Sequence, residues 1–531
     1  MKSILVPTTL LIGFAMGCGT SVDSGAITTP PATVLTTTST QATSVATSSS
    51  TTSMAPVLLR APETLESEYC RVPEIGHKSG THSVGFPVDN SNLKADQRVR
   101  LAVIALDWFD YPGDPEELEK ENEDVKKFVD AYEVVSNGLL SFDVAYATKW
   151  YRLPESVSAY ATQQTSDFNS KLAQHAITTA DPDFDFSLVD LTIFVLPSFA
   201  PIPSGVPQRT DQFGGFQHFN GFSTVNDPRM IFSDEGWVRN YIGAGTYFDV
   251  DKRPAWSYYL HEAAHTFHFP DWYRREANYV LGSDEVKNLG YEVGPMSVWS
   301  VMSSQNGPSR TFDSWARWLM GWLKEEQVAC FDLLQVIAHG EFDIELTPLD
   351  VYETGVKSVI IRTGPHSALV VESRRPVFLD ENLVAWQRVG RDPFGLIVYE
   401  VDTSILDAEG TLSLVLPEGQ GIEYIPYGDP DVEGHSMADA LYNLGAVGYS
   451  NSLKVELINS GDRDVVRITP MEGDRPDVPS TSTSSTLAQA ALVFYNNCDE
   501  VRAVGRAPVM KGDPGYRPEL DPDGDGIACS W

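Results

Sequence analysis

Positive charge is in short supply. Against 73 Asp and Glu, the 531 residues carry only 38 Lys and Arg, a net charge of −35. That balance excludes a nucleic-acid binder, which needs a basic footprint. An acidic surface raises the local cation concentration, which suits calcium, or it tracks a saline or surface habitat; both readings stand. Long apolar runs are scarce too, since beyond Met16 no segment reaches the ~18 apolar residues of a spanning helix. Cysteine numbers only five, and no two have the close pair spacing of a structural zinc site. No internal repeat is found. What is plentiful is ordinary core material, 42% hydrophobic and 11% aromatic, enough over this length for about three domains.

Histidine is also sparse, at ten, yet two fall in the pattern His261-Glu262-Ala263-Ala264-His265. On a helix these histidines lie one turn apart on the same face. Two neutral imidazoles so placed make half of a tetrahedral zinc site, and Glu262 projects where a zinc-bound water would sit. Trp256, Tyr258, Tyr259, Leu260 and Phe267 supply the apolar face of a buried helix, and Pro270 is expected to stop it. The competing reading is a helix whose histidines only satisfy core hydrogen bonds.

A catalytic zinc needs three protein ligands and one open position. Asp271, six residues past His265, stands where the extended pattern H-E-x-x-H-x-x-G-x-x-H/D places its third ligand. The rival is Glu285, at a spacing that suits a thermolysin-like enzyme, although its surroundings read as a loop. Downstream, Gly294 to Ser303 forms a short apolar stretch containing Met302, as expected of a methionine turn flooring the metal.

The segments HEAAHTFHFPDWY and WSVMSSQNGPSRTFDSWARWLMGWL resemble the immune inhibitor A group of bacterial secreted metallopeptidases, which are metzincin-like zinc endopeptidases. LAVIALDWFDYP and YEVVSNGLLSFDVAYATKWYRLP are similar to that family's early strand and helix-to-strand passage, and SALVVESRRP and GLIVYEVDTSI to its post-catalytic β region. The resemblance covers roughly residues 95 to 410. It implies zinc held by His261, His265 and Asp271, Glu262 as general base, and extended protein or peptide substrates lying beside an edge strand. Two departures stand out. His268 occupies the family's glycine position in the ligand turn, and Phe186 follows Asp181, Asp183 and Asp185 where a calcium loop needs glycine. No ion is assigned to those three acids. The alternative function is a catalytically inactive surface adhesion or scaffold protein on a protease-derived fold.

The N-terminus reads as an export signal over residues 1–17, with Lys2 ahead of an apolar stretch from Ile4 to Met16. Ala15-Met16-Gly17-Cys18 resembles a lipobox, which makes Cys18 the expected lipidation site; a plain secretory signal is the alternative. Residues 18–56, rich in Ser and Thr, read as a flexible tether. Then come a metallopeptidase domain at 57–340, a β-rich domain at 341–472, a linker at 473–489 and a terminal module at 490–531. The four remaining cysteines are expected to pair as Cys70–Cys330 and Cys498–Cys529, each bond stapling one domain.

The last segment, FYNNCDEVRAVGRAPVMKGDPGYRPELDPDGDGIACSW, resembles the excalibur module, a short extracellular calcium-binding unit. Asp521, Asp523 and Asp525 alternate as in the first half of an EF-hand loop, and Ile527 offers a backbone carbonyl. The expected fold is α+β: a metzincin-like zinc protease domain with a mixed sheet and an active-site helix, a β-rich region, and a small disulfide- and calcium-supported module. The expected cofactors are zinc and calcium. The expected location is extracellular, at the cell surface through an N-terminal lipid on the membrane, or secreted.

Overall fold

Period-two alternation in one long strand organises the first half of the chain. In a computed structural model, β1 (Arg98–Trp108) sends Val99, Leu101, Val103 and Ala105 to one core and Ile104, Leu106 and Trp108 to another. Such a strand is buried on both faces, which is why it reads as a near-continuous apolar run. The structure describes residues 58–75, 82–89, 91–161, 166–197, 216–218, 230–243, 255–273, 296, 298–304, 307–351, 354–384, 392–420, 422–424, 436–438, 440–471, 497–503, 507–511, 516–517, 520–521 and 527–529.

Around β1 builds a six-stranded mixed sheet. After α1 (Pro115–Val135) come β2 (Ser141–Ala145) and β3 (Trp150–Leu153), which pair in parallel with successive halves of β1. Helices α2 (Val157–Ala161) and α3 (Ser166–Ala180) lead to β4 (Leu191–Val195), parallel to β1 on its other side. Next in the chain are β5 (Phe216–His218), the hairpin β6 (Ile231–Ser233) with β7 (Gly236–Val238), and β8 (Tyr241–Gly243). β8 continues the parallel order beside β4, and β5 closes the edge antiparallel to β8.

The helix α4 (Ala255–Ala264), which carries the histidine motif, packs with α1 against the Val99 face. Tyr132 of α1 donates its hydroxyl to the Leu260 carbonyl at 2.7 Å. α3 covers the opposite face through Leu172, Ala173, Ala176 and Ile177. α1 begins as its sequence indicates, with Pro115 in the first turn and the Asp114 side chain accepting from Glu116 N. Trp315, Trp318 and Trp322 form a stripe at helical spacings within residues 311–323, yet the helix there is shorter than that spacing suggests. Only Ser314–Leu319 is α-helical, capped by Asp313, and Gly321 at φ 73° turns the chain away. All three tryptophans of the stripe are buried core residues.

The second half is two stacked sheets. β9 (Val328–Asp332), β11 (Ser358–Arg362), β12 (Ser367–Arg374), β13 (Gly395–Asp402) and β14 (Leu412–Leu414) form one sheet, and β10 (Phe342–Leu346) belongs to the other. After a hairpin of β15 (Ile422–Tyr424) and β16 (Ser436–Ala438), β17 (Val447–Ser450), β18 (Leu453–Ser460) and β19 (Asp464–Pro470) complete the second sheet in the order β10-β19-β18-β17. Val359, Ile361, Leu369 and Val371 meet Val455, Leu457, Val466 and Ile468 between the sheets. The reverse face of the first sheet, through Ile360, Val370, Ile397 and Tyr399, joins the core that holds α4. β9 lies before residue 340 and pairs in parallel with β11 beyond it, so one sheet spans that position. Both disulfides form, Cys70–Cys330 and Cys498–Cys529. Among the described residues, no helix is long and apolar enough to cross a membrane.

Candidate metal centre

Helix α4 ends one residue short of the second histidine. His265–Phe267 continues it as a 3₁₀ turn, and His268 at φ 65° adopts the left-handed conformation that ends it. The stop therefore comes before Pro270, two residues earlier than the proline suggests. The reason is the turn itself: Phe269 N bonds back to the Ala264 carbonyl and His268 N to that of His265, a reversal that needs positive φ. Histidine takes the glycine position of the ligand pattern and still reaches that conformation.

This reversal delivers Asp271 to the two histidines. His261 Nε2 and His265 Nε2 lie 3.2 and 3.4 Å from Asp271 Oδ1, and all three side chains are buried. Their ligand atoms all fall within 4.8 Å of one another. His261 Nδ1 lies 2.8 Å from the Val301 carbonyl, and His265 Nδ1 lies 2.8 Å from the Phe269 carbonyl. A carbonyl only accepts, so each ring donates its Nδ1–H, and the neutral imidazole keeps its lone pair on Nε2. Three lone-pair-bearing atoms then face one another among buried side chains, an arrangement that a cation between them would stabilise. The separations also match the ~3.3 Å edge of a tetrahedron with ~2.0–2.1 Å metal bonds. Two imidazoles and a carboxylate are a donor set that fits zinc.

A proton on His265 would meet the same need. Burial works against it, but the Asp271 charge and the Phe269 carbonyl push His265 up to about 9. Burial likewise opposes ionisation of Asp271, yet His265 and His261 hold it well below the usual carboxylate range. Glu262, between the histidines in sequence, is buried. Burial raises its carboxyl, a shift that the two histidines and the Tyr258 hydroxyl partly offset. One of its oxygens, Oε2, has no hydrogen-bond partner among the described residues.

Met302 is fully buried next to this pocket. Its carbonyl accepts from Trp272 N at 3.0 Å, and its neighbour Val301 supplies the acceptor for His261. Asp313 ties the same region together, accepting from Trp272 Nε1 at 2.9 Å and Ser300 Oγ at 2.8 Å. Beneath it, buried Arg374 bonds Glu372, Asp380, Ser309 Oγ and the Trp299 carbonyl. Glu285, the rival ligand, lies outside the described residues, as does Cys18. Asp183 pairs with Lys149 and Asp185 caps Ser187 N, which occupies two of the three alternating acids as loop acids.

Two residues that sequence reasoning missed close on the centre. The His82 ring stacks on His265, with centroids 4.4 Å apart and planes 16° apart. Asp407, from the loop after β13, reaches His82 Nδ1 through Oδ2 at 2.9 Å and accepts from Asp271 N through Oδ1 at 2.8 Å. Neither residue stands in a pattern, so only the fold reveals them.

At the other end of the chain the cysteine pairing, the short helix Cys498–Ala503 and the two-residue hairpin Val509–Met510 with Ile527–Ala528 enclose a five-residue core. Residues 495–529 match the Excalibur calcium-binding domain. No curated protein matches the chain. In the Excalibur domain the first expected ligand, Asp521, is buried and accepts from the Tyr516 hydroxyl at 2.6 Å. Ile527 sits in the closing strand, and Asp523 and Asp525 lie outside the described residues.

Proposed function

We propose that this protein is a zinc-dependent endopeptidase of the metzincin-like, immune inhibitor A kind, exported and held at the bacterial cell surface through Cys18 or released. The observation that carries the reading is the convergence of His261 Nε2, His265 Nε2 and Asp271 Oδ1, with Glu262 beside them on the same helix. The mixed sheet, the helix α4 packed on it and the buried Met302 turn support the same reading.

Bound by those three residues, zinc would activate a water and polarise the scissile carbonyl. The chain's own residues do the rest. The Val301 and Phe269 carbonyls fix the tautomer and ring direction of both histidines. Glu262, its carboxyl raised by burial, takes the proton from the attacking water and passes it to the leaving amine. Among the described residues β5 is the antiparallel edge strand of the sheet, and an extended substrate would add along it as a further strand. The scaffold alternative rested on His268, and that residue adopts the conformation the ligand turn requires. The C-terminal calcium-binding domain suits an extracellular setting, where calcium is plentiful.

Casein incubated with the purified full chain tests the proposal. Cleavage is expected to stop with a zinc-selective chelator and to return on adding zinc. Intact casein after incubation with fully zinc-loaded protein would refute it.

A further inference from the structure

The loop between β13 and β14 belongs to the β-rich half, yet it grips the third ligand by the main chain. Asp407 Oδ1 accepts from Asp271 N at 2.8 Å, and Ala408 N donates to the Asp271 carbonyl at 3.1 Å. Both backbone polar groups of Asp271 are thus held by two consecutive residues. The other oxygen of Asp407 accepts from His82 Nδ1 at 2.9 Å, which sets the plane of the ring stacked on His265. Ala408 sits at φ 58°, in the left-handed region that a residue with a Cβ avoids. Such strain persists only where the surroundings over-determine it.

We infer that Asp407 and His82 are positioning residues of the metal centre: Asp407 fixes the backbone of ligand Asp271, and through His82 it fixes the ring of ligand His265. Asp271 follows a left-handed turn and Pro270, so no helix or strand holds its peptide groups. A metal site tolerates about 0.2 Å of error in ligand distance, and supporting hydrogen bonds set that precision. Asp407 supplies them from 136 residues away. The inference rests on the zinc reading proposed above.

Zinc affinity of the full-length protein, measured by competition with a chromogenic chelator, tests it. Asp407→Ala is expected to weaken zinc binding ~10- to 100-fold, the usual effect of losing a supporting partner. Asp407→Asn should recover most of that loss, because its amide oxygen still accepts the Asp271 N–H. Asp402→Ala serves as the control, since Asp402, at the end of β13, caps Ser404 and bonds none of the three ligands among the described residues. Should Asp407→Ala fail to fold, its largely buried partner carries the test: His82→Ala should weaken zinc binding, and His82→Phe, which keeps the stacked ring but not the bond to Asp407, should recover only part of the loss. Wild-type affinity in folded Asp407→Ala, or an equal fall in Asp402→Ala, overturns the inference, as does wild-type affinity in His82→Ala. A wild-type protein that binds zinc but leaves casein intact overturns only the peptidase reading, and the affinity ranking still decides this one. A wild-type protein that binds no zinc overturns both.

Discussion

Replacing Glu262 with Gln separates chemistry from architecture. Gln keeps the length and volume of the side chain and is as good a helix former, so α4 should be unaffected. Neither histidine uses Glu262 as its Nδ1 partner, because those bonds go to the Val301 and Phe269 carbonyls. Zinc stoichiometry should therefore stay at wild-type level. Turnover should not. A positioned general base contributes ~10²- to 10⁴-fold, or about 2.7 to 5.4 kcal/mol at about 1.36 kcal/mol per factor of ten. Glu262 is only 7% exposed, so bulk water has little access to replace it as base, and the loss belongs well inside that range. The assay pairs metal analysis of dialysed protein with kcat on a quenched peptide or on casein. A zinc-loaded variant within tenfold of wild-type turnover would show that Glu262 is not the base and would remove the mechanism.

Three further outcomes follow from the same structure. Asp271→Ala should lower zinc affinity by more than the ~10- to 100-fold cost of losing a supporting hydrogen bond, whereas Glu285→Ala should retain zinc through dialysis; the reverse ranking would assign the third ligand to Glu285. Arg374→Met strips Glu372 and Asp380 of their buried counter-ion, a break that costs about 3–5 kcal/mol. Calorimetry should then show Tm falling by roughly 5 °C, and an unchanged Tm would mean that this network holds nothing together. For an isolated segment 490–531, calcium should raise Tm with an affinity on the order of 10⁻⁴ to 10⁻³ M, and a triple Asp521→Ala, Asp523→Ala, Asp525→Ala variant should abolish the shift. Reduction should unfold the segment even in calcium. A bond spanning 31 residues contributes about 3.7 kcal/mol, close to the whole stability expected of so small a domain.

Local patterns were legible in the chain and through-space meetings were not. The one-turn spacing of His261 and His265 and the six-residue step to Asp271 are short-range facts, and they survive because a helix and a tight turn convert spacing directly into geometry. The early strand in LAVIALDWFDYP was readable because both its faces are buried, although it spans Arg98–Trp108. The helix end was misjudged because proline is a visible stop signal, while a left-handed His268 is not. The parallel pairing of β9 with β11 carries no turn signal, since the α-helix Leu333–His339 and β10 intervene. His82 and Asp407 were invisible for the same reason. They approach the ligands from 183 residues before His265 and 136 residues after Asp271, joined by no periodicity.

The Cys70–Cys330 bond bears on maturation. Residues 58–93 have the position in the chain of a detachable leader, but their attachments forbid detachment. Leu59 exchanges hydrogen bonds with Asp343, Leu65 N bonds the Cys330 carbonyl, and Cys70 is covalently joined to β9. Beyond the staple, Ser83 N bonds the His268 carbonyl and Leu93 N that of Thr266. A nick between Cys70 and His82 would leave the upstream piece tethered through sulfur and the downstream piece still laced to the ligand turn. Trimming that keeps this architecture must therefore stop before Leu58, and the stretch ahead of β1 is part of the folded body that braces the turn at Thr266–His268.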